Sequence, residues 1–467
     1  MAIGPNMAWR IRTDGDNANG GGFDPTVSGA GTDYTDQATA QLSLTDVVTN
    51  GTSTVTSATG GFTSAMIGNV IRIATKGYYP ITARTNTNTI TVDGSPSSGT
   101  GLSAKVGGAF GGFDNFVSGG NHTMPSLTNP LVAGNAVFIR GNGEEDPSTV
   151  QYPFTTYWSS TNGDMSGNGR ISFIGYNGRP LIGHAGLWLY DTSMITITNM
   201  SFKLTGDIYS TYGAVYAGGV SVVNCIFEQN GYNIRILTCP EMINCIFRNT
   251  PSNQGSNPGD CAIWAGGHPA IINGCSFVNL RNYAVRMGPT SLNMTNCIFN
   301  NCQSDCVRVD ESDYGYPSII ENNTFNNPTG HAIYFVEKTS MAVFQVRGNI
   351  FSNITGSGKS AVYTPSSSVR ESDRYTRNWD WNVFYNNTTH LVNVNYGDND
   401  SVDVNPNYAN SGSGDFTPTN AILAGRASPI SLFSATNNKW PGAIQPSGGG
   451  GFTLSQGLHP IESGINL

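Results

Sequence analysis

A phenylalanine recurs through the chain from residue 202 onward, three residues after an Asn or Gly in every copy but the weaker last one, where Trp381 takes that place. The segments are NMSF at Phe202, NCIF at Phe227 and Phe247, GCSF at Phe277 and NCIF at Phe299, then NNTF at Phe325, GNIF at Phe351 and WNVF at Phe384. The intervals are 25, 20, 30, 22, 26, 26 and 33 residues, and Asn249, Asn279, Asn301, Asn327, Asn353 and Asn386 follow the Phe by two. A second apolar segment follows each Phe: AVYA, NIRI, AIWA, AVRM, CVRV, AIYF, AVYT and LVNV. Within each copy apolar residues alternate with a large or polar one, the period of a strand with one buried face. Repeats of this length with short strands, variable loops and Asn at the corners predict a solenoid of stacked coils, a parallel β-helix. Asn tolerates left-handed backbone angles and bonds locally, which suits tight corners. The single Phe per coil should stack on its equivalents and fill the core. A leucine-rich repeat is excluded by the scarcity of Leu, and a propeller by such short, uneven intervals.

Composition agrees. With 58 Gly and 50 Asn in 467 residues and only 12% charged residues, the chain is unsuited to a helical protein. Its 10% aromatics exclude disorder. The net charge of −8 comes without any basic run, so nucleic acid is not an expected partner. No apolar stretch is long enough to span a membrane. The opening MAIGPNMAWRIRTDG lacks a basic segment followed by an apolar one, so a secretory signal is not expected. Assembly in a cytosol, with retention there or release by lysis, is the expectation.

Cys225, Cys245, Cys275 and Cys297 sit two residues before the repeat Phe, and Asn323, Asn349 and Asn382 fill that slot in later coils. Disulfides are the usual reading of eight cysteines in a small secreted domain. Here the shared slot predicts a ladder of buried free thiols instead. No Cys/His spacing suggests zinc, and neither a metal nor a cofactor is expected.

Four regions are expected. Residues 1–130 form a β-rich cap or insert and possible docking region, residues 131–400 the β-helix, residues 401–447 a C-terminal cap, and residues 448–467 a Gly linker and tail. AGNAVFIRGNG and GRISFIGYNGRPLI read as early coils, and GGFD at Gly21–Asp24 and Gly111–Asp114 as brackets around the insert.

The N-x-x-F coils resemble right-handed parallel β-helix proteins of the pectate-lyase-like superfamily. WRIRTDGDNANGGGFDP, MIGNVIRI…GYY and WPGAIQP are similar to a group found in bacteriophage structural genes and environmental bacteria. The resemblance implies an all-β, right-handed, single-stranded parallel β-helix with N- and C-terminal caps. It also implies a virion protein of tailspike type: a homotrimer, joined to other virion proteins, that binds host cell-surface polysaccharide. A capsid or tail decoration protein without ligand, or a polysaccharide lyase or glycoside hydrolase, are the other readings.

If the second strand stacks in register, its central outward position forms a column of Tyr216, Arg235, Trp264, Arg286, Arg308, Tyr334, Tyr363 and Asn393, roughly 34 Å long at about 4.8 Å per coil. Aromatic bodies and Arg donors suit sugars, so the first seven are candidate substrate-binding residues. A subunit interface or plain outward surface fits the same pattern. For catalysis, a glycosidase needs two carboxylates and a lyase needs a basic residue, often with Ca²⁺. Asp310 and Asp313, in the loop DESDYGYP with Glu311, are the candidate acids, together with Arg308; Asp260 and Asp305 enter neighbouring strands. The polygalacturonase motifs NTD, DD, GHG and RIK are absent. His184, His268, His331 and His390 are scattered and read as turn or surface residues.

Overall fold

The structure, a computed structural model, describes residues 7–112, 134–149, 151–154, 171–184, 187–188, 194–204, 215–216, 219–229, 234–236, 241–248, 261–265, 270–281, 283–288, 290–310, 318–336, 344–364, 378–394, 396–424 and 442. The fold is that of a right-handed parallel β-helix. Among the described residues helix is confined to short 3-10 turns such as Ser64–Met66. The chain divides into two compact units, residues 1–201 and 202–466.

In the first unit, Ala8–Ile11 runs parallel to Ala136–Arg140, which pairs with Ile171–Tyr176, which in turn pairs with Met194–Thr198. The helix strands therefore begin before the insert. Between Ala8–Ile11 and Ala136–Arg140 the chain builds a closed antiparallel barrel from Leu42–Thr49, Thr54–Ser57, Thr89–Val92, Gly77–Asn86, Val70–Ile73 and Gly99–Val106. Alternate residues such as Val55, Ile90 and Val92 point inward and join Phe62, Ile71 and Ile81 in its core. The chain leaves and rejoins beside the same strand. Gly22–Phe23 pairs antiparallel with Ala8–Trp9, and Phe110 bridges to Ile11. Trp9 is fully buried, stacked on Phe110 and bonded through Nε1 to Asn135 Oδ1 at 3.1 Å. Gly21, in the GGFD motif, lies at φ +73°, and a Cβ there would meet the Phe110 ring at 2.1 Å. Only glycine fits that place.

In the second unit each coil contributes one strand to each of three parallel sheets. The first sheet runs from Gly219–Val223 to Asn378–Asp380, the second from Ile226–Gln229 to Ser401–Val402, and the third from Ile234–Ile236 to Leu391–Val392. The corner between the first and second sheets is left-handed at every coil. Asn224, Asn244, Gly274, Asn296, Asn322, Gly348 and Trp381 all have φ between 53° and 65°. The corner after the second sheet is left-handed at Asn279, Asn301, Asn327, Asn353 and Asn386, and there Asn327 Nδ2 donates to Asn301 Oδ1 at 2.8 Å. The repeat's two Asn positions are thus the two corners, and at the second a short amide side chain bonds its counterpart in the adjacent coil at Asn301, Asn327 and Asn386.

The core follows the expected phase. Phe202, Phe227, Phe247, Phe277, Phe299, Phe325, Phe351 and Phe384 form one stack with centroids 4.6–5.3 Å apart. Cys225, Cys245, Cys275 and Cys297 are fully buried, and none of the seven described cysteines is joined in a disulfide; Cys239 lies outside the described residues. The Cys245, Cys275 and Cys297 thiols reach the carbonyls of Val222, Met242 and Ile272 in the preceding coil. In later coils the amides of Asn323, Asn349 and Asn382 donate to the equivalent carbonyls of Met294, Ile320 and Val346 at 2.8–3.1 Å. Each Asn also accepts: Asn349 Oδ1 takes the Asn323 N–H at 2.9 Å, and Asn382 Oδ1 the Asn349 N–H at 3.1 Å. Asp400 ends this ladder by accepting from the Asn382 N–H at 2.7 Å.

After Val402 the chain forms an antiparallel pair, Tyr408–Asn410 with Asp415–Pro418, against the outer face of the second sheet. Phe416 packs on Ile298, Leu423 on Ile350 and Val383, and the Tyr408 hydroxyl lies 2.8 Å from Ser352 Oγ. Residues 425–441 and 443–467 lie outside the described residues.

Candidate functional site

The third sheet carries the expected outward column, and its register is unbroken over six coils. Cα partners run Arg235–Trp264, Trp264–Arg286, Arg286–Arg308, Arg308–Tyr334 and Tyr334–Tyr363. Inward neighbours such as Ile263, Val285, Val307 and Ile333 are fully buried, while Trp264, Arg286, Arg308, Tyr334 and Tyr363 are half-buried.

Both ends of the column differ from the sequence reading. Tyr363 pairs with Val392, not Asn393, because Asn393 takes a left-handed corner conformation at φ 58°. The two-residue strand Leu391–Val392 stops there, and the alternation inferred from LVNV shifts by one. Tyr216 lies in the short strand Val215–Tyr216, which is not among the seven strands of the third sheet. The side chains of Tyr216 and Arg235, and all of Asp260, Glu311 and Asp313, lie outside what is described.

Within the column the side chains serve one another. The Arg286 guanidinium lies 4.6 Å from the Trp264 ring centroid, and that of Arg308 lies 5.5 Å from Tyr334 and 4.9 Å from Tyr283. Tyr334 and Tyr363 stack at 5.0 Å, and the His331 ring lies 5.1 and 4.9 Å from them. Ring faces are therefore covered by neighbours along the column. The Tyr334 and Tyr363 hydroxyls bond no other group among the described residues.

Asp310 sits between the two arginines. Its Oδ1 accepts from Arg308 Nε at 2.7 Å and its Oδ2 from Arg286 Nε. Arg308 Nη1 also donates to the Tyr283 hydroxyl at 2.9 Å. Burial opposes the charged form of Arg308, but the hydrogen bond to Asp310 and the nearby Tyr283 and Asp305 outweigh it, and its pKa moves up. An arginine held protonated in this way is a poor proton acceptor, and both Asp310 oxygens are taken up by the two arginines. The arrangement holds its shape through these contacts.

Tyr283, His331 and Asp305 belong to this cluster but stood outside the inferred column. His331 is a correction to its reading as a turn or surface residue, since it is only 5% exposed. Its backbone N–H donates to Asp305 Oδ1 at 2.8 Å, and its Nδ1 accepts from the Ser360 N–H at 3.1 Å. Burial lowers its pKa. A signal was available for Tyr283, which lies three residues before Arg286, beside the column. Among the described residues no group of three or more His, Cys, Asp or Glu is placed to hold a metal, and no helix is long and apolar enough to cross a membrane.

No curated protein matches the chain in sequence. Residues 183–351, which contain most of the column, match the family model described as the right handed beta helix region, in agreement with the observed parallel sheets.

Proposed function

We propose that this chain is a virion protein of tailspike type that attaches to host surface polysaccharide along the Trp264–Tyr363 column. The observation that carries the reading is the column itself. Five successive coils place Trp, Arg, Arg, Tyr and Tyr at one outward position, pre-ordered by cation–π contacts and by Asp310. A polyhydroxylated chain lying along it meets a row of fixed donors at the coil spacing, and little side-chain entropy is left to lose on binding. A right-handed β-helix region is compatible with a polysaccharide-binding or polysaccharide-degrading protein, and the tied state of Asp310 and Arg308 favours binding. The virion setting, the other virion proteins as partners and a homotrimer rest on the resemblance of the WRIRTDGDNANGGGFDP segment.

The test pairs Trp264→Ala with Arg308→Ala. Both variants should lose adsorption to host cells at least tenfold while keeping their far-ultraviolet spectrum. The parent should release no reducing ends from purified host polysaccharide. Unchanged adsorption would reject the column as a glycan site. Release of reducing ends would move the reading to a degrading enzyme. Sedimentation of the parent checks the trimer.

A further inference from the structure

A flanking column runs beside the outward one, two residues earlier in each coil. Val285, Val307, Ile333 and Val362 are successive Cα partners, and two residues before them stand Tyr283, Asp305, His331 and Ser360. At His331 and Ser360 the backbone N–H is bonded by a side chain of the preceding coil. The His331 N–H donates to Asp305 Oδ1 at 2.8 Å, and the Ser360 N–H donates to His331 Nδ1 at 3.1 Å. The slot therefore calls for a side chain that accepts. An ionised carboxylate always accepts, whereas an imidazole accepts only through a nitrogen that carries no proton.

A backbone N–H can only donate, so Nδ1 is the bare nitrogen of His331 and the ring proton sits on Nε2. Ser360 Oγ lies 3.0 Å from the same nitrogen and gives its own proton to the Val362 carbonyl at 3.1 Å. The backbone on either side is tightly seated. A Cβ on Gly330 would lie 2.3 Å from the Ser304 carbonyl carbon, and the Cys306 N–H donates to the His331 carbonyl at 2.9 Å. The buried imidazole packs against both aromatic members at the end of the column, with centroids 5.1 Å from Tyr334 and 4.9 Å from Tyr363. One titratable nitrogen thus fastens the ring on which two column residues rest.

We propose that His331 is a positioning residue for the Tyr334–Tyr363 end of the column, which it sets at neutral pH and releases when acid protonates Nδ1; with the column read as the glycan surface, attachment then weakens in acid. A proton on Nδ1 leaves the Ser360 N–H facing another N–H, so a buried donor loses its acceptor. Relief requires the imidazole to turn or the Ser360 segment to draw back, and either shifts the support of both tyrosines. Among the described residues, the ionisable groups around His331 are Asp305 and Cys306 of the preceding coil, Tyr334 on its own strand, and Lys359 and Tyr363 of the following coil. Arg308, on the preceding strand, is paired with Asp310. Burial opposes the proton most, Asp305 favours it and Lys359 opposes it, and the His331 pKa is lowered. Burial also raises the Cys306 thiol, which stays neutral in acid. For a histidine lowered in the folded state, the stability it contributes is complete above its ordinary value and is lost as pH falls from there toward the lowered one.

The experiment follows the full chain by NMR with ring-labelled histidine and tyrosine, from about pH 8 down to about pH 4.5, a range that brackets the ordinary imidazole. His331→Asn keeps an acceptor for the Ser360 N–H and removes the titration. The histidine signal that this variant lacks should titrate in the parent with a midpoint below that of an ordinary histidine. The tyrosine signals lost in Tyr334→Phe and Tyr363→Phe should move in the parent with the same midpoint and stay still in His331→Asn. Ser360 amide exchange in the parent, corrected for its intrinsic pH dependence, should be about tenfold faster near pH 5 than near pH 7, so the coupling is tested even if a variant misfolds. Adsorption to host cells should fall several-fold over the same interval in the parent and show no such fall in His331→Asn. An ordinary midpoint, unmoved tyrosine signals, equal movement in parent and His331→Asn, or unchanged Ser360 exchange would each overturn the coupling. A parent that adsorbs at no pH would instead fail the glycan reading, and the ring signals and Ser360 exchange would still decide the role of His331.

Discussion

Replacing Asn349 with Ala tests whether the buried amide ladder holds the later coils together. Asn349 is fully buried and makes four hydrogen bonds. Its Nδ2 donates to the Ile320 carbonyl at 2.8 Å and to Asn382 Oδ1 at 3.1 Å, and its Oδ1 accepts from Asn323 N–H at 2.9 Å and Nδ2 at 3.0 Å. Truncation leaves two buried backbone groups, the Ile320 carbonyl and the Asn323 N–H, without those partners. At about 1–3 kcal/mol for each orphaned group, the expected loss is about 2–6 kcal/mol. Asn349→Cys should cost less, about 1–3 kcal/mol, because a thiol in this slot reaches the preceding coil's carbonyl, as Cys297 reaches that of Ile272. Only the Asn323 N–H then loses a strong acceptor. Urea unfolding followed by circular dichroism gives the two free energies, and hydrogen exchange at Asn323 reports the local effect. A loss below about 1 kcal/mol for Asn349→Ala, or a Cys variant as unstable as the Ala one, would refute the reasoning.

Three further outcomes are expected. Phe299→Ala, in a ring stacked at 4.6 and 4.7 Å on Phe277 and Phe325, should cost about 3–5 kcal/mol in the same urea assay. Burial raises the Cys245 and Cys275 thiol pKa values, so native protein should react slowly with a thiol reagent, and mass mapping without reductant should find Cys225, Cys245, Cys275 and Cys297 unpaired. Burial pushes Glu321 up to about 7, against Arg347 at 3.2 Å, and Asp400 up to about 6. A carboxyl raised in the folded state contributes stability that is full below its ordinary value and lost as pH climbs through the raised one. The unfolding midpoint should therefore fall between about pH 4 and 7, and Glu321→Gln should flatten the upper part of that fall.

The coil phase was legible because one bulky ring per coil has a single place to go, so the spacing of Phe247, Phe277 and Phe299 sets the register of everything attached to it. The Asn corners were legible for a similar reason, since few residues accept φ near 55°. The column failed at its ends, where strands shorten. Leu391–Val392 is two residues long, and alternation cannot be phased from a strand that short. The closure of the 42–106 segment into a barrel was hidden, because alternating strands read alike in a flat module and a closed one. Asp310 was placed beside the column but not between its arginines, as backbone periodicity does not say where a loop side chain folds back.

The antiparallel segment after Val402 has a consequence for how the molecule comes apart. A stack of coils coupled only to immediate neighbours frays from its end, one coil at a time. Here Phe416 grips Ile298, Tyr408 grips Ser352, and Leu423 grips Ile350 and Val383, so one strap crosses coils whose repeat rings are Phe299, Phe351 and Phe384. Peeling the last coil requires lifting the strap, and the strap holds coils far from the end. The region from Phe299 to Phe384 is thus fastened into a single cooperative block, whose amides should open together. Among the described residues the strap does not reach the coils of Phe227, Phe247 and Phe277, which keep the graded behaviour of a plain solenoid.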